Sequence, residues 1–369
     1  MELKIMEERC IAMEAAEVIT RYINKEDYQD TKNKMLTRYG ARFKEGEKDK
    51  FLTRITLVAQ ANEQVRDFIT DTPEMEYLFR KQYYNNTYST LGGIILLNFG
   101  NVLKTDIDSY LDSCLLKWKE LMAQPLSLKT VAYSALVLEK GEKPLKESLL
   151  DDLNDLPYPH EFKWNLYMVL IHFEQYLSQL RTILKSIEAP IRSALVSLEP
   201  VVQEMKDFWL RNLTEDLVYD LASSMGLKKE NVTNKEVILQ ILCMPCDQAI
   251  VDDAYEERKL PVLLGLSIEW GPQFISEQVD VGVLCEELRI IGEESKFEIL
   301  KLLQKEGNYG QEIARKLNLD ATTVSRHLTA LSRYGLIYVE RKEKRNIYYK
   351  LNQNGMRNLL ESMQRIFLE

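Results

Sequence analysis

Residues 311–345 read QEIARKLNLDATTVSRHLTALSRYGLIYVERKEKR, and no other stretch restricts the fold as tightly. Ile313, Ala314 and Leu317 share one face of a short helix. Asn318, Leu319 and Asp320 make a turn, and Asp320 is a good N-cap for the next helix, 321–334. That helix buries Val324, Leu328 and Leu331 at i, i+4 and i+7. Its opposite face carries Thr322, Thr323, Ser325, Arg326, Thr329 and Arg333, with no acid among them. Gly335 ends the helix, and alternation predicts strands over 336–341 and 346–351. Between the strands, Arg341, Lys342, Lys344 and Arg345 surround the single acid Glu343.

Short hydroxyls beside guanidinium groups suit a major groove, where base edges offer donors and acceptors and phosphates flank them. A hairpin tip with four cations in five residues is costly to pack and cheap to place on a phosphate backbone. Alone it would be a solvated tip; behind this helix pair it reads as a DNA contact. A preceding helix is predicted over 295–305, with Phe297, Leu300 and Leu303 as its buried stripe, widened by Ile299 and Leu302.

These residues resemble the winged-helix domain of the ArsR/SmtB-type bacterial transcription regulators. The resemblance rests on EESKFEILKLL, QEIARKLNL, TTVSRHLTALSRYGLI and VERKEKRNIYYKL, which together occupy about a fifth of the chain. It implies that Gln311 and the Thr322–Thr329 face, His327 included, approach DNA and that Arg341–Arg345 form the wing. Lys344 stands where the family usually has glycine, which changes the turn and adds charge. Family members that sense metals do so through cysteines on the helix matching 309–317, or through Asp and His on the C-terminal helix. This chain has neither, so no metal and no cofactor is expected. The family dimerises through its first and last helices. Here Met356, Leu359, Leu360, Met363 and Phe367 form an apolar stripe suited to that, or to packing on their own domain.

The whole chain carries −9, but from 294 to 369 there are 14 Lys and Arg against nine Asp and Glu. The tail is therefore +5 and the remainder −14, a basic module on an acidic body. At 369 residues two or three domains are expected. The reading is mainly α: a helical body over 1–230, a small α/β or antiparallel sheet segment over 231–280, and a winged helix over 281–369. In the body, Phe162 to Leu184 recur at helical spacing as one long amphipathic helix. The runs 237–243 and 261–268, with a third near 249–251, read as strands of the antiparallel insertion. The longest apolar run, 92–99, is too short to span a bilayer, and a cytoplasmic location is the default.

The body offers little chemistry. Cys243-Met-Pro-Cys246 has redox or half-metal-site spacing, but two ordinary half-buried cysteines are the better reading. The cluster Tyr77, Phe79, Tyr83, Tyr84 and Tyr88 is more readily core than ligand pocket. With His160, His172 and His327 as the only histidines, no catalytic constellation assembles, and the chain is not read as an enzyme. The expected function is sequence-specific DNA binding by a homodimer that regulates transcription, with an unidentified small-molecule effector as a further candidate partner. The alternative is a ligand-binding or enzymatic body tethered to DNA by the tail.

Overall fold

The computed structural model describes the chain except at residues 1, 40–45, 85–86, 133–134, 157, 225–231, 233, 253–257, 269–280, 335, 344–345, 353–355, 357–358, 361–362, 364–366 and 368–369. It divides into two compact units, Met1–Gln82 with Tyr88–Ile275, and Ser276–Glu369 with Tyr83–Thr87.

The larger unit begins with β1 (Glu2–Ile5), α1 (Ile11–Ile23), α2 (Tyr28–Tyr39), α3 (Glu47–Arg66) and α4 (Pro73–Phe79). Next in the chain come the paired strands β2 (Gln82–Tyr84) and β3 (Thr87–Ser89), of which Tyr83, Tyr84 and Thr87 fall in the second unit, and the larger unit resumes with α5 (Leu91–Phe99) and α6 (Ile107–Ala123). A longer hairpin, β4 (Pro125–Ala132) and β5 (Ala135–Pro144), precedes α7 (Leu145–Asp155), α8 (His160–Ile171), α9 (Phe173–Ser186), α10 (Glu188–Val196), α11 (Glu199–Asn212) and α12 (Glu215–Ser224). Strands β6 (Glu236–Leu242), β7 (Ala249–Val251) and β8 (Lys259–Gly265) complete it.

The inserted sheet is not antiparallel as the sequence suggested. Its order is β1-β6-β8-β7, with β1, β6 and β8 parallel and only β7 reversed. Six of the seven residues of β6, and six of seven in β8, are buried. Strands covered on both faces read as continuous apolar runs, which is the parallel-sheet pattern. The partner that reveals the direction, Glu2–Ile5, is a short mixed segment more than 200 residues away. Helix α1 is buried on nearly every side, with Ile11, Ala15, Val18 and Ile19 in the core.

Two further expectations change. The helix predicted through Phe162–Leu184 is broken at His172, where φ −102 and ψ 36 separate α8 from α9. The break seats fully buried Phe173 edge-on to Phe99 and stacked on Trp118, each with ring centroids 5.0 Å apart. The β4–β5 hairpin falls where helix was expected. Side chains outside it satisfy the β4 backbone: Asp152 accepts from the Leu128 amide at 2.8 Å, and the Tyr158 hydroxyl bridges the Val131 N–H and C=O.

The second unit follows its predicted order closely. It contains α13 (Val281–Ile291), α14 (Glu294–Lys305), β9 (Asn308–Tyr309), α15 (Gly310–Leu317), α16 (Ala321–Arg333), β10 (Ile337–Glu343) and β11 (Asn346–Leu351). The strands form one antiparallel sheet ordered β10-β11-β9. Ile299, Leu300, Leu303, Ile313, Val324, Leu328, Leu331, Leu336 and Ile337 form its core. Phe297 lies outside that core, half exposed, and Ile299 takes the place expected of it.

Candidate nucleic-acid interface

The turn between α15 and α16 sets the site. Asn318 adopts the left-handed conformation at φ 52, which asparagine tolerates better than most residues, and the Leu319 amide returns to the Ala314 carbonyl at 3.0 Å. Two residues later Asp320 caps α16, its carboxylate accepting from the Thr323 amide at 2.9 Å and from the Thr323 hydroxyl. Those bonds, the hydroxyl's first, hold the Asp320 carboxyl below its ordinary pKa. Asp320 is thus committed to the helix start.

With Val324, Leu328 and Leu331 buried, helical geometry turns Thr322, Ser325, Arg326 and Thr329 outward, and all four are exposed. Gln311, at the second position of α15, is exposed as well. Thr323 is half-buried and accepts from the Arg326 guanidinium at 3.3 Å, steadying that side chain along the helix. The Thr329 hydroxyl donates to the Ser325 carbonyl at 2.9 Å, leaving its lone pairs free to accept. Arg333, Arg341 and Lys342 have described backbone but no described side chains, and Lys344 and Arg345 lie outside the described residues. Backbone pairing runs Arg341 opposite Tyr348, Lys342 opposite Ile347 and Glu343 opposite Asn346.

His327 departs from its neighbours. Its ring is mostly covered, with Nε2 3.4 Å from the Glu293 carboxylate, which Lys296 also holds. Burial lowers the His327 pKa and outweighs the attraction of Glu293, so the ring is neutral at pH 7 and the contact becomes an ion pair only in acid. Nothing in the sequence pointed to this trio, since Glu293 is the N-cap residue of α14 while His327 lies within α16. Lys316 is likewise occupied, by Glu306 at 2.6 Å and Glu312 at 3.1 Å.

The C-terminal stripe divides. Leu359 is buried and Met356 packs on the core of the unit, whereas Leu360 and Phe367 are 60% and 68% exposed. Met363 is intermediate.

In the larger unit, Cys243 and Cys246 are both free and fully buried, and burial drives both thiols well above their ordinary pKa. The turn they bracket is held by Glu14, whose carboxylate accepts from the Cys243 amide at 2.8 Å and the Met244 amide at 2.7 Å. Tyr77 stacks on Tyr176, Phe79 is core, and Tyr88 receives the Lys81 ammonium over its ring at 4.1 Å. The side chains of Tyr83 and Tyr84 lie outside the described ones. Among the described residues no three of His, Cys, Asp and Glu converge in a way that could hold a metal ion. No helix among them is long and apolar enough to cross a membrane.

A sequence model of the bacterial regulatory protein, arsR family, matches residues 293–339, the span from α14 into β10. Among solved structures, reduced HlyU of Vibrio cholerae aligns at 25% identity over 24% of this chain and 92% of its own. Its TM-score is 0.20, too low to bear on the fold. No curated protein matches. Residues 293–339 are thus similar to the helix-turn-helix segment of the arsR family of bacterial regulatory proteins.

Proposed function

We propose that the protein is a transcription regulator whose residues 281–369 act as a winged helix on double-stranded DNA, as a homodimer. The observation that carries this reading is the exposed face of α16. It presents Thr322, Ser325, Arg326 and Thr329 in one row, backed by a packed core and preceded by a capped turn. In the proposal α16 enters the major groove, Gln311 supports it, and Arg341–Arg345 rest on the backbone. Exposed Leu360 and Phe367, with half-exposed Phe297, supply apolar surface for the twofold contact. His327 serves to fix α16 against α14 rather than to read a base.

Selection of bound duplexes from a random library by the full-length protein, followed by titration across salt concentrations, tests the reading. Binding should weaken steeply with salt, and Arg345→Ala should lower the salt slope by about one per protomer. Arg326→Ala should cost about 1–3 kcal/mol and relax preference at one base pair per half-site. An intact protein with no salt-sensitive DNA binding, or unchanged binding in the Arg326→Ala, Arg345→Ala double variant, would refute it.

A further inference from the structure

We propose that the larger unit binds a small multivalent anion, bearing phosphate or carboxylate groups, at the carboxyl ends of β1, β6 and β8. Ligands of parallel sheets are held outside that edge. Three mostly buried cations come from elements at or beside that edge. Arg9, in the loop after β1, has a side chain 12% exposed and lies close to Cys243, the residue after β6. Arg54, 3% exposed, donates at 3.0 Å to the carbonyl of Leu266, the residue after β8. Its guanidinium also meets the Met205 sulfur at 2.9 Å, and the next residue on α11 is Lys206, 5% exposed.

The carboxylates that answer these cations come from the solvent side. Lys206 bonds Glu7 at 2.8 Å, and the Glu7 side chain is 86% exposed. Arg9 pairs with Glu199, which is 53% exposed, and Arg54 stands 3.3 Å from Glu204, 46% exposed and shared with Lys50. A buried cation has no cheap route back to water, whereas an exposed carboxylate does. The acids are therefore exchangeable occupants, and an anion with two or more charges replaces several at once. The Arg9 Nε is buried with no hydrogen-bond partner among the described residues, a donor that an entering oxygen would satisfy. Glu14, a buried carboxylate also near Arg9, attracts the guanidinium electrostatically, while its oxygens accept from the Cys243 and Met244 amides.

Binding itself does not depend on the DNA reading; only its use as an effector signal does. Full-length protein is titrated with inorganic phosphate and, separately, tricarballylate, against sodium chloride at matched ionic strength. The readouts are the thermal midpoint and calorimetric affinity, both without DNA. A saturable rise in midpoint is expected with at least one of the two anions and not with chloride, and the responding one identifies the class. Arg9→Gln should weaken binding about ten-fold. Glu7→Gln and Glu199→Gln each remove an internal competitor and should tighten it roughly three-fold. Ion pairs that are purely structural would instead lower the midpoint of those two variants with no gain in affinity. That result, or saturation with neither anion, overturns the proposal, and the two acid variants decide it if Arg9→Gln does not fold.

Discussion

Glu14 allows a sharp test of the larger unit. It is fully buried, and burial raises its carboxyl pKa to about 7, against 4.5 in an unfolded chain, even though two amides and Arg9 pull the other way. A proton is thus bound more tightly by the folded state. The stability that this supplies is fully present below pH 4.5 and is lost as pH rises to 7. Two and a half units correspond to about 3 kcal/mol. Glu14→Gln removes the titration but keeps the shape, turning an NH2 toward one of the Cys243 and Met244 amides at a fixed cost of about 1–3 kcal/mol. Denaturant unfolding of both proteins, followed at the transition of the larger unit, should show the variant gaining about 3 kcal/mol relative to wild type between pH 4.5 and 7.5. All other titrating groups cancel in that difference. A gap between the two proteins that stays constant with pH would refute the burial argument. Glu14→Ala should be worse throughout, since both buried amides lose their acceptor.

The smaller unit gives three further expectations. Asp320→Ala should lower its unfolding free energy by about 1 kcal/mol through loss of the α16 cap, read by circular dichroism. Leu328→Ala opens a cavity beneath the exposed face of α16 and should cost about 2–5 kcal/mol, whereas exposed Ser325→Ala should stay within about 0.5 kcal/mol. His327 has a lowered pKa, so the stability it contributes is present above pH 6.5 and is lost as pH falls through the folded value; His327→Gln should remove that acid sensitivity in nuclear magnetic resonance titrations of α16 amides.

The parts of this chain legible in its sequence are those held by local chemistry. Asp320 capping, the Val324–Leu328–Leu331 stripe and the strand alternation after 336 need only neighbours within a few residues, and α13 lies at 281–291 as its spacing predicts. What was hidden depended on distant partners. Nothing in ELKI announces a sheet edge until it lies beside Glu236–Leu239, and with it the parallel direction. No residue near His172 breaks a helix by propensity; the break is imposed by the aromatic slot between Phe99 and Trp118. The candidate interface follows the same division. The hydroxyl and guanidinium row of α16 was readable, but the turning of His327 toward Glu293, and the withdrawal of Leu359 from an outward stripe that keeps Leu360, required the packed unit.

The pairing of Glu2 with Glu236 also orders events in time. During synthesis β1 emerges well before its neighbour, and at ordinary elongation rates the delay is roughly 10–50 s. Through that interval α1 must shelter its apolar surface against α3, α5 and α6, with one edge of the future sheet open. The sheet closes only after β6 and β8 have left the ribosome, just ahead of the helix-turn-helix segment. Closure of so non-local a contact is slow, and until it happens the unpaired strand edge is the segment most exposed to aggregation.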